Sequence, residues 1–374
     1  MKILQIAVGI NGGGVGAVIH NYYKNMNHNK IQLDIIIDDL DSVKKGSLLE
    51  KSFVDMGCHI YRVTPKSVSL KENIRQVSKI MSEGNYDILH SNMEEWSALY
   101  CQLAKKHNIK TRIAHAHLAY VTNSFIKNLY NSVLRVGLRH YATDFFACSK
   151  DAGLYLFGDK IVKSNKFRVM PNAIETDKFI FNENTRSKIR TELAIKDDEL
   201  AIGFVGRLYF QKNPERMLRI FNEVCQKHSN SKLIIVGDYK NYSGYPQLVE
   251  YLEKNNIVDK VCFTGLRTDV NDIMQAFDAF VLPSRYEGLG IVYVEAQAAG
   301  LMTFGTDKVV PAEVKCCELM HFISSDCTDE YWANEILKYS INYTRENTSD
   351  IVTKAGYEIK IESKKIENFY LDNK

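Results

Sequence analysis

Short apolar runs alternate with longer amphipathic segments along the chain. The runs are rich in Ile, Val, Leu and Phe and end at glycine, proline or polar residues, so they predict buried strands of a parallel sheet. The segments between them carry apolar residues at helical spacing and predict helices on both faces of that sheet. The strands predicted in this way cover residues 1–10, 32–38, 86–92, 110–117, 144–149, 200–208, 232–238, 261–270, 279–282 and 303–307.

The alternation occurs twice, which predicts two domains. The first series ends near Phe167–Glu175, where a proline closes a strand, and a charged linker over 177–198 precedes the second series. At 374 residues the chain is also too long for one ordinary core. We therefore expect an α/β protein of two Rossmann-like, doubly wound parallel-sheet domains, residues 1–171 and 172–355, with a last helix over about 356–374.

Composition narrows the class of protein. Apolar residues make up 45% and charged residues 25%, as in a globular chain, and the net charge of +3 provides no strong field for nucleic acid. The eight cysteines form no Cys-x-x-Cys pair and predict thiols of a reducing, cytoplasmic compartment. Met1–Ile10 is interrupted by Gln5 and predicts a strand rather than a signal peptide, and no apolar run reaches the ~18 residues of a membrane span. We expect a soluble or at most peripheral protein.

The turn after the first strand is rich in glycine. Gly13, Gly14 and Gly16 lie between that strand and a helix, where a backbone without Cβ atoms can approach a phosphate or a sugar. The same turn fits a dinucleotide fingerprint, Gly-x-Gly-x-x-Ala over residues 12–17, with Asp38 at the end of the next strand. An NAD(P)-dependent oxidoreductase is therefore an alternative interpretation of this turn.

Polar side chains follow other strand ends, where ligands of doubly wound sheets gather. His115 and His117 end one strand of the first half, and their spacing places both on one face. No cysteine or carboxylate lies at a convincing spacing for zinc, so we expect no metal. Arg207 and Lys212 follow the first strand of the second half, where two cations can clamp a diphosphate.

The segment from Pro283 to Gly300 combines these features. A short buried strand ends at Pro283, a glycine-rich turn follows, and a helix runs to a glycine stop. The start of that helix leaves backbone N–H groups unpaired and presents the positive end of the helix dipole, which favours an anion. Glu287 lies in the turn and Glu295 lies on the helix.

These two glutamates resemble the Glu-x7-Glu signature of retaining glycosyltransferases of the large family 4 class, which have the two-domain GT-B fold. The resemblance extends, in the family's order, to the first glycine loop, Arg112–His117, the Pro-Asn-Ala-Ile run at 171–174, and Arg207 with Lys212. It implies two domains that face each other across a cleft. The N-terminal domain would lie on the acceptor side, joined by the last helix, and the C-terminal domain would bind the donor.

The resemblance also implies roles for single residues. Glu295 would bind the ribose hydroxyls and Glu287 the donor sugar, while the two cations stabilise the departing diphosphate. His117, or His115 as second choice, would steady the sugar in the transition state. The further donor contacts that it implies are Gly13, Gly14 and Gly16 of the first loop, Arg267 at the nucleobase, and the turn residues Gly288, Leu289, Gly290, Ile291 and Val292.

The expected activity is transfer of a sugar, with retention, from a nucleotide sugar to a hydroxyl of a glycan or lipid-linked acceptor. UDP is the commonest donor nucleotide of the class, and no metal or separate cofactor is implied. Likeness to exopolysaccharide and capsule enzymes over Arg112–His117 points to surface polysaccharide synthesis at the cytoplasmic membrane face. A nucleotide-sugar epimerase of the same fold is a further alternative. The cationic segment Phe125–Tyr141 is either a solvated amphipathic helix or a contact for an anionic or membrane-embedded acceptor.

Overall fold

The computed structural model describes residues 1–10, 14–40, 47–117 and 125–374. The chain forms two compact units, of which unit 1 comprises Met1–Ile174 with Ile359–Lys374 and unit 2 comprises Glu175–Glu358. Both divisions lie three residues later than the boundaries at 171 and 355 that the sequence predicts.

Unit 1 is built on a parallel sheet whose described strands follow the order β3-β2-β1-β4-β5-β6-β7. Most of these strands are buried on both faces, which is why continuous apolar runs predict them. The pattern misses β3, because this edge strand is mostly half-buried and carries polar residues. The strands are β1 (Lys2–Ala7), β2 (Gln32–Asp38), β3 (His59–Val63), β4 (Ile88–Ser91), β5 (Thr111–Ala116), β6 (Asp144–Ala147) and β7 (Phe167–Val169).

Three of the described helices of unit 1 begin at a serine whose hydroxyl accepts a hydrogen bond from a free backbone N–H group. The Ser69 hydroxyl accepts a hydrogen bond from the backbone N–H of Glu72 at 3.3 Å, and the Ser149 hydroxyl accepts one from Ala152 at 3.1 Å. Caps of this kind stabilise a helix by about 1 kcal/mol each. The helices are α1 (Val15–Lys24), α2 (Leu48–Asp55), α3 (Leu70–Gly84), α4 (Ser97–Lys106), α5 (Phe125–Tyr141), α6 (Lys150–Phe157) and α7 (Asp159–Val162).

Unit 2 repeats the architecture with described strands in the order β10-β9-β8-β11-β12-β13, all paired in parallel. Its strands are β8 (Leu200–Val205), β9 (Ser231–Val236), β10 (Val261–Gly265), β11 (Ala279–Leu282), β12 (Met302–Thr306) and β13 (Met320–Ile323). Its helices are α8 (Glu183–Glu192), α9 (Pro214–Lys227), α10 (Tyr245–Lys254), α11 (Val270–Ile273), α12 (Ile291–Ala298), α13 (Asp329–Ser340) and α14 (Ser349–Val352). The edge strand β13, like β3, is not predicted by the sequence pattern.

The last helix, α15 (Ile359–Asp372), belongs to unit 1. Its residues Ile366 and Phe369 lie in the same apolar core as Ile3 of β1 and Tyr22 of α1. The chain therefore returns to its first unit after completing the second. In the ranges that the structure describes, no helix is both long and apolar enough to cross a bilayer.

Each sheet has a point where the strand order reverses, between β1 and β4 in unit 1 and between β8 and β11 in unit 2. The loops on the two sides of such a point diverge and leave a crevice beyond the carboxyl ends of the strands, where doubly wound sheets bind ligands. Each unit therefore has one place where a binding site is expected on topology alone.

Candidate active site

Two loops meet at the reversal point of unit 2, residues 206–213 after β8 and residues 283–290 after β11. The backbone oxygen of Gln211 accepts a hydrogen bond from the N–H of Arg285 at 2.8 Å, and its side-chain amide donates to the oxygen of Tyr286 at 3.0 Å. The first loop therefore holds the position of the second.

Lys212 and Glu287 form an ion pair between these loops. Their Nζ and Oε1 atoms are 2.6 Å apart, and the side chains are 17% and 4% exposed. The same Oε1 accepts a hydrogen bond from the Ser284 hydroxyl at 2.6 Å, and the other carboxylate oxygen lies 3.4 Å from the amide nitrogen of Gln211. The sequence places Lys212 at the diphosphate and Glu287 at the donor sugar, whereas the structure also binds them to each other. An ammonium has three N–H donors, so Lys212 can hold Glu287 and still donate to a ligand.

The two arginines predicted at the donor differ in their contacts. Arg207 follows β8 and is exposed, and its side chain has no hydrogen-bond or ion-pair partner among the described residues. Arg267, after β10, donates to both carboxylate oxygens of Asp269, at 2.8 and 2.7 Å, and to Glu192 at 2.5 Å. These carboxylates raise the pKa of the Arg267 guanidinium. Arg207 is therefore the cation of the two that is available to a phosphate, and the Arg267 loop offers its backbone.

The turn before α12 has a conformation that favours glycine. Gly290 has a φ of 78°, and a Cβ added there would lie 2.7 Å from the ring of Tyr293. No side chain in the described ranges caps the helix, so the first backbone N–H groups, at Ile291 and Val292, face the end where an anion is favoured. The side chains of Leu289 and Val292 are buried, so these predicted donor residues offer a ligand only their backbone.

Glu295, on α12, has a different environment from Glu287. Its carboxylate has no hydrogen-bond or ion-pair partner within the described part of the chain, although it is only partly exposed. Burial raises the pKa of Glu295 to about 7. A shielded carboxylate without partners is unfavourable unless a ligand supplies donors, and two neighbouring hydroxyl groups would do so.

An apolar surface lies at the ends of β9 and β10, in the region that the resemblance assigns to the nucleobase. The Tyr239 ring centroid is 4.9 Å from that of Tyr245 and 5.4 Å from that of Phe263. A Cβ added at Gly265 would lie 3.8 Å from Tyr239, and Leu266 beside it is 78% exposed. Flat aromatic surface beside open backbone groups suits a base.

In unit 1 a chain of hydrogen-bonded rings lies at the reversal point. The Tyr370 hydroxyl is 2.7 Å from Nδ1 of His90, whose Nε2 is 3.0 Å from Nδ1 of His115. The His115 ring stacks on His117 with centroids 4.0 Å apart, which confirms that both side chains lie on one face. His115 is fully buried, and burial lowers its pKa well below the usual value. Because His117 is only partly buried, it is the one of the two that can meet a ligand.

The state of His117 follows from its partners. Its Nε2 lies 2.9 Å from Oδ1 of Asn92, whose amide nitrogen donates to Gln5 at 2.7 Å. The Asn92 oxygen is thus the acceptor, so Nε2 of His117 carries the proton and Nδ1 keeps its lone pair. Burial lowers the pKa of His117 to about 4, so the ring is neutral at neutral pH.

A carboxyl group that the sequence reasoning missed adjoins His117. Oε1 of Glu94 accepts a hydrogen bond from the His117 backbone N–H at 2.9 Å. Burial raises the pKa of Glu94 to about 8. A position within three residues after a strand is the signal that could have found it, and the same signal marks the other residues missed at the two reversal points. Those residues are Asn92 and Ser284.

The first glycine loop is only partly described. Gly13, like Gly12 of the fingerprint, lies outside the described residues, so its predicted contact does too. Gly14 precedes α1 with a φ of 62°, and Gly16 lies in the first turn of that helix. Over the described ranges, no group of three His, Cys, Asp or Glu side chains is placed to hold a metal ion.

Two protein-family models match this chain side by side. The model described as Glycosyltransferase Family 4 matches residues 12–178, and the model described as Glycosyl transferases group 1 matches residues 185–357. The two matches meet close to the division between unit 1 and unit 2. Each half of the chain is therefore recognised separately.

Similar proteins and structures share this assignment. A Bacillus subtilis (strain 168) protein named as the glycosyltransferase EpsF is 24% identical over 365 residues, 96% of this chain and 93% of that one. UDP-Gal:alpha-D-GlcNAc-diphosphoundecaprenol alpha-1,3-galactosyltransferase of Escherichia coli is 23% identical over 244 residues, 63% of this chain and 62% of that one. The crystal structure of Anabaena HepE in complex with UDP has a TM-score of 0.80 at 17% identity, with both chains fully covered.

The two parallel-sheet units and the two family matches identify the chain as a glycosyltransferase of the GT-B fold. The two family-model matches also show which glycosyltransferase family the chain is part of. The chain belongs to the family 4 glycosyltransferases, with a group 1 glycosyl transferase domain as its second half. This membership replaces the oxidoreductase interpretation of the first glycine loop.

Proposed function

We propose that this enzyme transfers a sugar from UDP, with retention at the anomeric carbon, to a hydroxyl of a glycan or lipid-linked acceptor in surface polysaccharide synthesis. The main support for the proposal is the set of anion-binding groups at the reversal point of unit 2. Arg207 lies there, exposed and without a partner among the described residues, together with the Lys212 ammonium and the N-terminus of α12, and all three favour an anion.

The diphosphate of the donor binds at these groups. Arg207 supplies a planar fork of donors that matches phosphate oxygens, and Lys212 supplies a point charge held in place by Glu287. A Cβ added at Gly206 would lie 3.5 Å from the Lys212 side chain, so the lysine runs close along the end of β8. As the bond to the sugar breaks, charge grows on the leaving diphosphate, and fixed cations stabilise it without reorganisation.

The nucleoside binds beside the diphosphate. Glu295 accepts the two ribose hydroxyls, which provide the donors that its carboxylate lacks. The base lies on the Tyr239 surface near the Gly265 backbone. UDP is proposed because HepE was crystallised with UDP and with UDP-glucose, and because the Escherichia coli relative is named for UDP-Gal.

The chemical step needs no metal in this proposal, since the cations and the helix start supply the positive charge. The acceptor oxygen bonds to the anomeric carbon on the face from which the diphosphate departs. The bond from that carbon to the diphosphate oxygen breaks, and the acceptor proton passes to an oxygen of the departing phosphate. The neutral His117 keeps its predicted role of steadying the sugar. In this proposal Glu287 is a ligand of the sugar hydroxyls rather than a nucleophile, and Lys212 and Ser284 hold its Oε1 in place.

The acceptor is assigned to unit 1 and to surface-glycan chemistry. EpsF and the capsular enzyme CapM of Staphylococcus aureus are among the similar proteins, and the Escherichia coli relative is named for a diphosphoundecaprenol acceptor. Such an acceptor lies at the cytoplasmic membrane face, so the proposal includes a cytoplasmic enzyme in peripheral contact with that membrane. The exposed side chains Tyr130, Val133 and Val136 on α5 are compatible with this contact.

The test incubates the enzyme with UDP-glucose, UDP-galactose or UDP-N-acetylglucosamine and a panel of octyl glycosides, and measures UDP release and the anomeric configuration of the product. The α-linked donors should yield α-linked products. A β-linked product would contradict retention. Epimerisation of the donor sugar without transfer would instead support the epimerase alternative.

A further inference from the structure

We propose that Glu94 binds the acceptor hydroxyl in unit 1, beside His117. The inference rests on the proposed function, because it assigns the second substrate of that reaction to particular groups. It concerns the carboxyl end of β4, next to β5 and at the reversal point of the first sheet. No side chain at this place is among the family-like residues of the sequence.

The backbone of Glu94 has an unfavourable conformation. Its φ is 50°, in the left-handed region, where most other non-glycine residues of the described chain with positive φ are asparagines. Asparagine adopts this conformation more readily than glutamate does. Asparagine would form this turn at a lower cost in backbone strain. The presence of glutamate therefore points to a function of its side chain.

One carboxylate oxygen of Glu94 accepts a hydrogen bond, and the other has no partner in the part of the chain that the structure describes. Oε1 accepts the hydrogen bond from the His117 N–H at 2.9 Å. Oε2 has no hydrogen-bond partner among the described residues, and the residue is only partly buried. By contrast, its neighbour Glu95 pairs with Arg135 at 2.8 Å. The free oxygen of Glu94 therefore lies within reach of a ligand, with its carboxyl group fixed by the first contact.

The chemistry of the two groups suits a sugar hydroxyl, which both donates and accepts a hydrogen bond. With a pKa near 8, the Glu94 carboxyl carries a proton at neutral pH, so its second oxygen can donate or accept. His117 Nδ1 keeps a lone pair. Two adaptable polar groups at the ends of neighbouring strands are therefore available to an acceptor hydroxyl.

Aromatic surface next to this turn favours a glycan over a simple alcohol. Trp96, in the same short 3-10 turn as Glu94, has its ring 5.7 Å from that of Tyr130. Tyr130 is 46% exposed. The apolar faces of sugar rings pack on exposed aromatic side chains, while the hydroxyls need polar partners.

The structural alternative is that Glu94 only supports the end of β5 through its bond to His117. Glu94→Asn separates the two roles, because asparagine tolerates the left-handed backbone but is one methylene shorter and cannot ionise. The expected variant melts at the same or a higher temperature and binds UDP as the wild type does. Its KM for the octyl glycoside that the wild type uses best should rise at least tenfold, the effect of losing one hydrogen bond to a polar partner. Wild-type KM in Glu94→Asn would overturn the proposal.

A second variant tests the carboxyl group by its ionisation. Glu94→Gln keeps an oxygen for the His117 N–H but carries no titrating proton. The charged or titratable groups around Glu94 are Glu95 on its own turn, Arg135 on α5, His117 after β5 and Tyr155 on α6. Ionisation of Glu94 removes its donor, so wild-type kcat/KM for the octyl glycoside should fall as pH rises through about 8, and this fall should be absent in Glu94→Gln. An identical pH profile in both proteins would contradict the assignment.

Controls separate this inference from the proposed function. Glu83→Gln changes an exposed carboxylate of α3 and should leave all these measurements unchanged. If the wild type fails to bind UDP, the proposed function falls. If the wild type binds UDP and transfers sugar, but Glu94→Asn and Glu94→Gln match it in acceptor KM and pH profile, only the Glu94 inference falls. Transfer to none of the octyl glycosides by an enzyme that binds UDP would also overturn the glycan site.

Discussion

Removal of the Lys212 ammonium has two effects that can be measured separately. In Lys212→Ala, Glu287 keeps the hydrogen bond from Ser284 but loses the cation 2.6 Å away, and its side chain is only 4% exposed. Breaking a fully buried pair by removing one partner costs about 3–5 kcal/mol. Because the Lys212 side chain is 17% exposed and Ser284 remains, we expect a loss of about 2–3 kcal/mol in the free energy of unfolding.

The second effect of Lys212→Ala is on the rate. Loss of one donor to developing negative charge lowers kcat by about 10²–10³. In Lys212→Ala/Glu287→Gln the isolated carboxylate is gone, so most of the lost stability should return while kcat stays low. Urea unfolding measures the stability, and UDP release at saturating donor measures kcat. A single variant with the wild-type rate, or a double variant that regains stability and rate together, would refute the reasoning.

The remaining predictions concern the donor site and metals. Arg207→Gln should lower kcat about 10²-fold with no loss in melting temperature, because Arg207 has no partner among the described residues; a lower melting temperature with a normal rate would show a structural role. Glu295→Gln should bind UDP about tenfold more weakly, the loss of one strong hydrogen bond. Because the pKa of Glu295 is raised to about 7, the wild-type affinity for UDP should fall as pH drops through about 7. Titration calorimetry should show a smaller fall in Glu295→Gln. The same pH dependence in both proteins would contradict the assignment of Glu295 to the ribose. Transfer should persist in excess EDTA, and a complete loss restored by a divalent ion would contradict the metal-free step.

The pH dependence of Glu295 also predicts a change in stability. Its folded pKa is raised above the ordinary value of 4.5, so the folded state holds a proton that the unfolded chain has released. The free energy of unfolding contributed by this group therefore falls as pH rises from about 4.5 to about 7 and is constant above that. Glu295→Gln should remove this dependence. A bound ribose opposes the effect, because its hydroxyls stabilise the ionised carboxylate.

Much of the fold could be predicted because its strands are buried on both faces. Runs such as Ile35–Ile37 and Ala279–Leu282 are typical of strands in a parallel sheet that is covered on both faces. Caps at Ser69 and Ser149 follow from hydroxyl groups just before helical patterns. The edge strands β3 and β13 were not predicted because polar residues such as Arg62 and His321 interrupt their short apolar runs.

The site could be predicted only as a set of positions at strand ends. Sequence places Lys212 and Glu287 near one ligand but does not show that they bind each other, because that contact spans 75 residues and depends on the two loops. The contact of Arg267 with Glu192 is hidden for the same reason, since it also spans 75 residues. The sequence leaves both His115 and His117 as candidates, with His117 as the first choice, and the three-dimensional burial of His115 is what separates them.

Glu94 was not predicted, because its backbone conformation leaves no signal in the sequence. Nothing in the sequence shows that Glu94 has a positive φ, since glutamate gives no signal for it as glycine or asparagine would. Its contact with the His117 N–H joins the ends of neighbouring strands, which becomes visible only when the sheet order is known.

Binding of a UDP-sugar by unit 2 is best tested with a thermal-shift panel of nucleotides. The wild type and Glu295→Gln are heated with UDP, GDP, ADP, NAD or NADP. A ligand present at about 100 times its Kd stabilises the folded protein by about 2.7 kcal/mol, enough to raise the melting temperature measurably. We predict a shift with UDP that is larger than with the other nucleotides and reduced in Glu295→Gln. Stabilisation by NAD or NADP alone, equal in both proteins, would contradict the claim.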